Sequence, residues 1–519
     1  MSPKYLLPVA VVLVAVLMGA PVPILDEESY LAITAHFDVW RPYNWWRPWP
    51  PWYGGTEPDA FVYAHPPLFL EWVAMWRGLS DDPVVARALC GVPMAALLGW
   101  SAGRLIERVS ARPALAMAVW FSAPIVVLGV QRGLMPDLMV AALATTAVMG
   151  WREAESADPH KSLRWLIFGG LALGLAAWTK YPALALVPVL MVHGWWAGRL
   201  RATWPFWVAA AIPWLAGEVA LVAIYGRVHL VEVLTRASEI SRGTGPGRAL
   251  GLLVRIPLGV AALGLFVRGY RWLWIPAFVL GGAVSLWSWP ADMTLGQRLT
   301  LSAWAIVGAA FVALAVFALV RGWRRRDGDR VLLSLWVLSV FGGVWAVHNF
   351  AAPRYLLPAM LPLALLLVRE VGALPVGRTL LLVGAGLHLV GGIVLTAAEH
   401  RFFSSAADLA DQIQGQLPAG ASGSYTGEWS FRWRMDAHGW DFYTGEPASG
   451  TLVAAPTNSS PGALPAGWTE VTKLHADSDF PVRVVHDSMQ IGLYAETLGA
   501  LPVGWADGPV EEVTLWRVP

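Results

Sequence analysis

Charged residues and cysteine are both scarce in this chain of 519 residues. Only 14% of the residues are charged, against about 25% in soluble globular proteins, and 56% are hydrophobic. The single cysteine, Cys90, excludes an intrachain disulfide and a cysteine-based metal cluster. The 37 basic and 36 acidic residues nearly cancel, so no overall charge attracts nucleic acid. The composition therefore predicts a polytopic α-helical membrane protein.

Apolar runs, in contrast, recur along most of the chain. A membrane-spanning helix needs about 20 apolar residues, and on this basis the sequence predicts about thirteen spans. We interpret the run at 4–24 as an uncleaved first span because no small-residue cleavage site follows it; a secretory signal is the alternative. The other predicted spans lie near 83–103, 113–131, 136–152, 163–179, 181–197, 204–225, 249–268, 271–289, 299–320, 331–350, 355–369 and 379–398.

Arginines in the short connections predict the orientation of the chain. The segment PLFLEWVAMW at 67–76 is too short to cross a bilayer, and we expect it to lie in the interface. The short basic connections then all face the cytoplasm, as the positive-inside rule requires. We therefore expect a bacterial inner-membrane protein with a cytoplasmic N-terminus and a periplasmic C-terminal part, whose 14 acids and 6 bases suit that side.

The sequence divides into two predicted domains. Residues 1–399 form the transmembrane domain, and the outer loop 25–82 is its largest connection. Five tryptophans and four prolines at 40–55 predict an irregular lid or platform there, either an interfacial anchor or a surface for sugar or lipid. Residues 400–519 alternate strand-like runs, such as 451–455, 482–486 and 512–518, with helical stretches, and we predict a small extracytoplasmic α/β domain.

Two carboxylates follow apolar runs on the predicted outer side. Asp26 lies in PILDEESYL, with Glu27 beside it and Tyr30 on the same helical face. Asp137 lies in QRGLMPDLMV, between the predicted third and fourth spans. Capping of a helix is the structural alternative for each acid. Two acids on one face with cations nearby indicate a site that activates a hydroxyl beside an anionic leaving group.

Several cations are expected near these acids. Lys180 is one of only four lysines, and it lies at the turn between two short apolar runs, where an ionisable group is functional by default. Arg354, Arg255 and Arg132 lie near outward span ends, with snorkelling to the interface as the alternative. His65 begins the HPPL turn. A divalent metal held by outer-face histidines with Asp or Glu stays open as an alternative, but no paired-histidine spacing supports it, so no cofactor is assigned.

Five segments together resemble the GT-C class of glycosyltransferases, in particular the protein O-mannosyltransferase and aminoarabinose (lipid A) transferase group. The segments are DEESYL, HPPLFLEW, RGLMPDLM, GLALGLAAWTKYPAL and PRYLLPAMLPLALL, in that order, and the resemblance covers residues 1–370. It implies a GT-C fold and transfer of a hexose or pentose, with inversion, from a polyprenyl-phosphate donor. The acceptor would be a hydroxyl of a protein, lipid or glycan on the outer side.

The resemblance also implies roles for single residues. Asp26 corresponds to the catalytic base or acceptor-orienting acid, and Asp137 to a supporting acid. We expect the donor phosphate to be bound by cations, namely Lys180, Arg354, Arg255, Arg132 and His65. Substrate contacts are expected from Glu27, Tyr30, Trp45 and Trp46.

The sequence departs from the aminoarabinose enzymes at one motif. His65 replaces a lysine that contacts the carrier phosphate there, and Ala64 replaces a glutamate implicated in metal binding. The departure puts both the metal and that phosphate contact in doubt, and it argues away from lipid A modification. Two other classes stay open: a lipid or sugar transporter, which would show polar groups at the bilayer midplane and related halves, and an inactive scaffold with the same fold.

Overall fold

The computed structural model describes residues 2–35, 37–43, 65–155, 158–240, 245–260, 262–288, 290, 293–347, 350–418, 422–445, 447–459 and 464–519. The helices of this part of the chain are α1 (Pro3–Leu17), α2 (Glu27–Thr34), α3 (Leu68–Arg77), α4 (Pro83–Val109), α5 (Pro113–Phe121), α6 (Pro124–Gln131), α7 (Pro136–Glu153), α8 (Pro159–Thr179), α9 (Leu186–Trp196), α10 (Trp204–Tyr225), α11 (His229–Ile240), α12 (Pro246–Arg255), α13 (Trp274–Ser288), α14 (Leu295–Arg325), α15 (Gly328–Ala346), α16 (Leu357–Glu370), α17 (Pro375–Gly415) and α18 (Trp429–Ala437).

The strands of the described residues all lie in the C-terminal part of the chain. They are β1 (Ser424–Tyr425), β2 (Asp441–Phe442), β3 (Leu452–Pro456), β4 (Thr469–Ala476), β5 (Val482–Arg483), β6 (Val485–His486), β7 (Ile491–Gly492), β8 (Gly504–Trp505) and β9 (Glu511–Arg517). Five of them form one sheet in the order β2-β1-β3-β9-β4. In this sheet β1 runs parallel to β2 and β3, whereas β9 runs antiparallel to β3 and β4.

The fold is mostly helical, and among the described residues six helices are long and apolar enough to cross a membrane. They are α4, α8, α10 with the turn before it, α14, α15 and α17. A seventh span would arise if α5 and α6, which meet at a bend of 66°, crossed together. The expectation of about thirteen spans is therefore not confirmed. Several of the other predicted spans coincide with shorter helices, such as α1 with 15 residues.

One predicted span, at 249–268, is wrong as a continuous helix. Helix α12 ends at Arg255 and is followed by short 3₁₀ turns at Ile256–Leu258 and Ala262–Phe266. Pro257 lies two residues after this end. A proline lacks the backbone N–H that would continue the helical hydrogen bonds.

Helix α3 coincides with the segment that we expected to lie in the interface. Its ten residues extend about 15 Å at about 1.5 Å per residue, half of the hydrocarbon thickness of about 30 Å. It is too short to span a bilayer. Phe69, Leu70 and Val73 are buried, and Trp72 Nε1 donates a hydrogen bond of 3.1 Å to the Cys90 carbonyl of α4. These contacts fix α3 beside α2 and α4.

Helix α17 passes without a break through the predicted domain boundary at residue 399. Its 41 residues join the expected last span to the helical stretch at 404–416. The C-terminal half packs on α18 and the five-stranded sheet through a separate core, which comprises Ala406, Leu409, Ala410, Ile413, Tyr425, Phe431, Met435, Trp440, Phe442, Ala454, Val513 and Leu515. The division into two domains stays a prediction, and a continuous helix connects the two parts.

Helices α1 and α4 approach each other through two glycines. A Cβ atom on Gly99 would lie 2.7 Å from the Cα of Pro8, and one on Gly103 would lie 2.6 Å from the Cα of Lys4. The two glycines are four residues apart and share one helix face, as in the small-residue motif of membrane helix pairs. Because the opposing atoms belong to the backbone, no side chain can move aside.

We expect Gly99→Ala and Gly103→Ala to separate α1 from α4 and to lower the unfolding midpoint. The matched control is Gly386→Ala in α17, where an added Cβ meets nothing within 4 Å and alanine favours a helix by about 0.5–1 kcal/mol. Thermal unfolding of the purified protein in detergent, followed by tryptophan fluorescence, measures the effect. Equal midpoints for Gly99→Ala and Gly386→Ala would contradict the close packing.

Candidate active site

Four ionised side chains from four separate segments meet at one place. The Arg354 Nη2 lies 3.3 Å from Asp26 Oδ2, and the Arg354 Nε lies 3.8 Å from Asp137 Oδ2. The other oxygen of Asp137 accepts a hydrogen bond of 2.8 Å from Lys180 Nζ. The structure thus brings together both predicted acids and two of the predicted cations. The side chains form a chain of alternating charge, Asp26–Arg354–Asp137–Lys180.

Local backbone breaks place each of these residues at the end of an element. Asp26 precedes α2 and follows Leu25, which has a left-handed φ of 50°. The other three lie near a proline. Pro136 begins α7 one residue before Asp137, Pro182 is two residues after Lys180 in the 3₁₀ turn that follows it, and Pro353 begins the 3₁₀ turn of Arg354. Proline favours the first turn of a helix, so the sequence itself fixes these ends.

Neither Asp26 nor Asp137 acts as a side-chain cap of its helix, which was the structural alternative for both acids. The Asp26 side chain makes no capping hydrogen bond to α2, although the residue occupies the N-cap position. At α7 the N-cap position belongs to Met135, and Asp137 is the second helical residue. Both carboxylates instead point to Arg354. Their conformations are therefore determined by ion pairing across long sequence separations.

Burial differs sharply along the chain of charges. The side chains of Asp137, Lys180 and Arg354 are 8%, 6% and 10% exposed, whereas that of Asp26 is 38% exposed. Asp26 is thus the carboxylate that a solvent-borne hydroxyl can reach. Burial disfavours the charge on Arg354, but Tyr355, Asp26 and Asp137 outweigh this effect and raise its pKa. The Tyr355 ring also faces the Lys180 ammonium, with 4.5 Å between Nζ and the ring centre.

A small cavity lies beside this cluster, and two arginines belong to its lining. Its lining comprises Ile125, Leu128, Gly129, Arg132, Ala352, Pro353, Arg354, Leu493 and Tyr494. Within the described part of the chain, the buried Nε atoms of Arg132 and Arg354 have no hydrogen-bond partner. An arginine presents its N–H groups as a fork that fits the oxygens of a phosphate. The lining of the cavity therefore contains two guanidinium groups suited to binding phosphate oxygens.

Arg255 differs from the predicted phosphate-binding role. It is fully buried, and its Nη2 donates hydrogen bonds to the carbonyls of Gly492 at 2.5 Å and Gly499 at 3.3 Å. Its Nη1 donates to the Gly251 carbonyl at 3.0 Å, and the residue does not line the cavity. The guanidinium thus holds backbone of the C-terminal part.

Glu27 also differs from its predicted role as a substrate contact. Its side chain is fully buried, and it forms an ion pair with Arg87 of α4, with 2.6 Å between Arg87 Nη2 and Glu27 Oε2. The same carboxylate accepts a hydrogen bond of 3.0 Å from the Ile24 backbone. Since both of its oxygens are used in the interior, Glu27 fixes the turn between α1 and α2. The exposed neighbour, Asp26, is the acid that faces outward.

The remaining predicted contacts are only partly described. Tyr30 is buried, and its ring stacks near that of His65 at 6.5 Å between centres. The His65 carbonyl accepts a hydrogen bond of 2.9 Å from the Tyr43 hydroxyl, which fixes the start of the HPPL turn. Trp45 and Trp46 lie outside the described residues. No group of three or more His, Cys, Asp or Glu side chains suited to a metal ion occurs in the part of the chain that the structure describes.

Sequence reasoning missed two residues in the surroundings of the cavity, Glu399 and Tyr494. Glu399 of α17 is fully buried and forms an ion pair with Arg132, and Gln131 Nε2 donates to it at 2.8 Å. Tyr494 lines the cavity from the C-terminal part. Glu399 stands in the apolar run LTAAEH, and an acid in such a run would have signalled a buried ion pair. Nothing in the sequence around Tyr494 indicates its position.

No protein-family model matches the chain, and no curated protein sequence matches it. Among solved structures, the chain is similar to ArnT, an aminoarabinose transferase from Cupriavidus metallidurans, in the apo state, with 16% identity, a TM-score of 0.40, and coverage of 83% of this chain and 84% of that chain. The structure of ArnT bound to undecaprenyl phosphate has 15% identity, a TM-score of 0.41 and the same coverage. The chain is also similar to the oligosaccharyltransferase of Archaeoglobus fulgidus in the apo form, with 12% identity, a TM-score of 0.45, and coverage of 84% of this chain and 63% of that chain. Both proteins are GT-C glycosyltransferases, the class that the sequence motifs resemble.

The ion pair between Lys180 and Asp137 leads to a prediction about stability. Lys180→Met leaves a buried carboxylate without its closest cation, which destabilises a protein by about 3–5 kcal/mol. The double variant Lys180→Met/Asp137→Asn removes the orphaned charge and should recover at least part of this loss. The control is Lys161→Met, whose partner Asp158 is exposed. Chemical unfolding in mild detergent measures these differences, and additive effects of the two substitutions would contradict the coupling.

Proposed function

We propose that the protein is an inverting glycosyltransferase that moves a sugar from a polyprenyl-phosphate donor to an acceptor hydroxyl at the outer membrane surface. The observation that supports this proposal most is the convergence of Asp26, Arg354, Asp137 and Lys180 beside a cavity with two arginines. The cluster offers one accessible carboxylate for a proton and buried cations for a phosphate. These are the two requirements of the reaction.

Asp26 is the proposed general base. The acceptor hydroxyl gives its proton to the Asp26 carboxylate while its oxygen forms a bond to the anomeric carbon. At the same time the bond from this carbon to the phosphate oxygen breaks, and its electron pair leaves with the polyprenyl phosphate. The leaving group is a stable anion, so the reaction needs no general acid. Attack from the face opposite the phosphate inverts the anomeric centre.

Arg354 and Arg132 are the proposed ligands of the donor phosphate. They lie on the same cavity, and each keeps a buried Nε without a partner among the described residues. Arg354 also contacts Asp26, which would keep the base close to the reacting bond. Preorganised cations at the leaving group stabilise the charge that develops in the transition state.

Lys180 and Asp137 would act mainly by orienting Arg354. Asp137 is buried between the two cations, with Lys180 Nζ on one oxygen and Arg354 Nε near the other. A carboxylate held in this way is unsuited to take a proton, because its negative charge is already compensated. Holding the reacting groups in place supplies much of the rate of such transfers.

A position at the ends of helices suits this chemistry. The polyprenyl tail of the donor stays in lipid, whereas the sugar and its phosphate must reach water-soluble acceptor groups. Asp26, Asp137 and Lys180 all lie at helix ends, and Arg354 lies in a 3₁₀ turn before α16. With the predicted orientation, these ends face the periplasm.

Asp26→Asn should abolish sugar transfer, because an amide cannot accept the proton of the hydroxyl. Loss of a general base lowers the rate by about 10²–10⁴-fold. Purified protein is offered a panel of polyprenyl-phosphate sugars with a membrane extract as the source of acceptors, and the release of free polyprenyl phosphate is measured. The control is Asp38→Asn, which changes an exposed acid of the same outer loop.

Two results would separate the proposal from its alternatives. Undiminished release of carrier phosphate by the Asp26→Asn variant would reject the assigned base. No release by the wild-type protein with any donor of the panel, although polyprenyl phosphate binds, would favour an inactive scaffold or a transporter. We expect the Asp26→Asn variant to bind polyprenyl phosphate as tightly as the wild type.

A further inference from the structure

A short segment of the C-terminal part, residues 491–499, reaches into the surroundings of the cavity. It begins with β7 and is closed on itself: a Cβ atom on Gly492 would lie 2.5 Å from the Gly499 backbone nitrogen. The Gly492 backbone N–H donates to the Leu501 carbonyl at 2.8 Å, and that of Leu493 donates to the Val484 carbonyl at 2.8 Å. The 491–499 segment is therefore a tight loop with a defined backbone.

Arg255 anchors this loop to α12. Its guanidinium donates to the carbonyls of Gly492 and Gly499, one at each end of the 491–499 segment. The arginine is completely buried, and a charge-assisted hydrogen bond in such surroundings is strong. The guanidinium thus ties both ends of the loop to the helical part of the protein.

Tyr494 connects the loop to Arg132. Its hydroxyl donates a hydrogen bond of 2.9 Å to Glu399 Oε1, the oxygen that also pairs with Arg132. The Arg132 guanidinium lies over the Tyr494 ring, 5.5 Å from its centre. Burial and the neighbouring Glu399 raise the pKa of Tyr494, so that its hydroxyl remains a donor. The ring and the hydroxyl together fix the orientation of Arg132.

Glu496 connects the same loop to the segment of Arg354. Its Oε2 accepts a hydrogen bond of 2.6 Å from the backbone N–H of Ala351, three residues before Arg354. The intervening Ala352 and Pro353 line the cavity together with Leu493 and Tyr494. One loop therefore contacts the supports of both arginines that flank the cavity.

We propose that the 491–499 segment is a positioning element of the phosphate-binding cavity, which holds Arg132 through Tyr494 and Arg354 through Glu496. The inference rests on the proposed function, because it takes the ligand to be the phosphate of a polyprenyl carrier. The C-terminal part is then required for donor binding. Arg255, which we first expected at the phosphate, acts at a distance by anchoring the loop.

The test uses the full-length protein and polyprenyl phosphate in detergent, with the corresponding polyprenol as the ligand without phosphate. Tyr494→Phe removes the hydrogen bond to Glu399 and keeps the ring, and it should weaken polyprenyl phosphate binding about three- to tenfold. Glu496→Leu should weaken it about tenfold, whereas Glu496→Gln, whose amide oxygen can still accept from Ala351, should stay within about twofold of the wild type. Polyprenol binding should not change.

The controls separate this inference from the proposed function. Tyr443→Phe removes a buried hydroxyl of the C-terminal part that does not line the cavity, and binding should be unchanged. Arg354→Gln tests the cavity itself and should abolish the difference between polyprenyl phosphate and polyprenol. In turnover assays, Tyr494→Phe should raise the donor KM and leave kcat nearly unchanged, which general destabilisation would not do.

Each outcome has one meaning. If Arg354→Gln weakens binding while Tyr494→Phe and Glu496→Leu bind like the wild type, the positioning role is overturned and the proposed function stands. If Arg354→Gln also binds like the wild type, the cavity is not the phosphate site and both proposals lose their donor site. Equal effects of Glu496→Leu and Glu496→Gln would overturn the Glu496 connection, because the hydrogen bond would then not matter. Unfolding midpoints within a few degrees of the wild type exclude misfolding as the cause.

Discussion

The interaction on which the candidate site depends is the bridge that Arg354 forms between Asp26 and Asp137. Ionised groups are expensive to bury unless an opposite charge lies nearby, so each member of the cluster requires its neighbour. The alternation of two acids and two bases satisfies this requirement with no net charge. It also forces the starts of α2, α7 and α16 and the end of α8 to converge. Only the terminal acid, Asp26, keeps substantial contact with solvent.

Long-range ion pairs recur around this bridge and connect the helices. Arg132 pairs with Glu399 of α17, and Glu27 pairs with Arg87 of α4. The 491–499 segment, which Arg255 of α12 holds, brings Tyr494 to the same region. Apolar residues of the C-terminal part, including Val484 and Leu493, belong to the core of the helical part. The two predicted domains therefore share their interior. A continuous α17 and a shared core leave little freedom for one part to move relative to the other.

The sequence allowed the prediction of those features that local patterns encode. Asp26, Asp137, Lys180 and Arg354 stand out because each is an ionisable residue near the end of an apolar run, and the structure places them together. The roles of Glu27 and Arg255 could not be predicted from local sequence patterns. Their partners, Arg87 and the carbonyls of Gly492 and Gly499, are remote in sequence, and no local pattern reports such a pairing. The break after Arg255 was missed because hydropathy averages over Pro257.

Asp26 and Glu27 are adjacent but differ in burial, and this difference limits how the segment between α1 and α2 can vary in length. Glu27 is locked to Arg87, whose Nη2 also donates to the Val22 carbonyl at 2.8 Å. This lock fixes the start of α2, where Asp26 is the N-cap residue, and thereby the position from which the Asp26 side chain reaches Arg354. Changing the number of residues between Val22 and Glu27 would therefore break one of these contacts to Arg87.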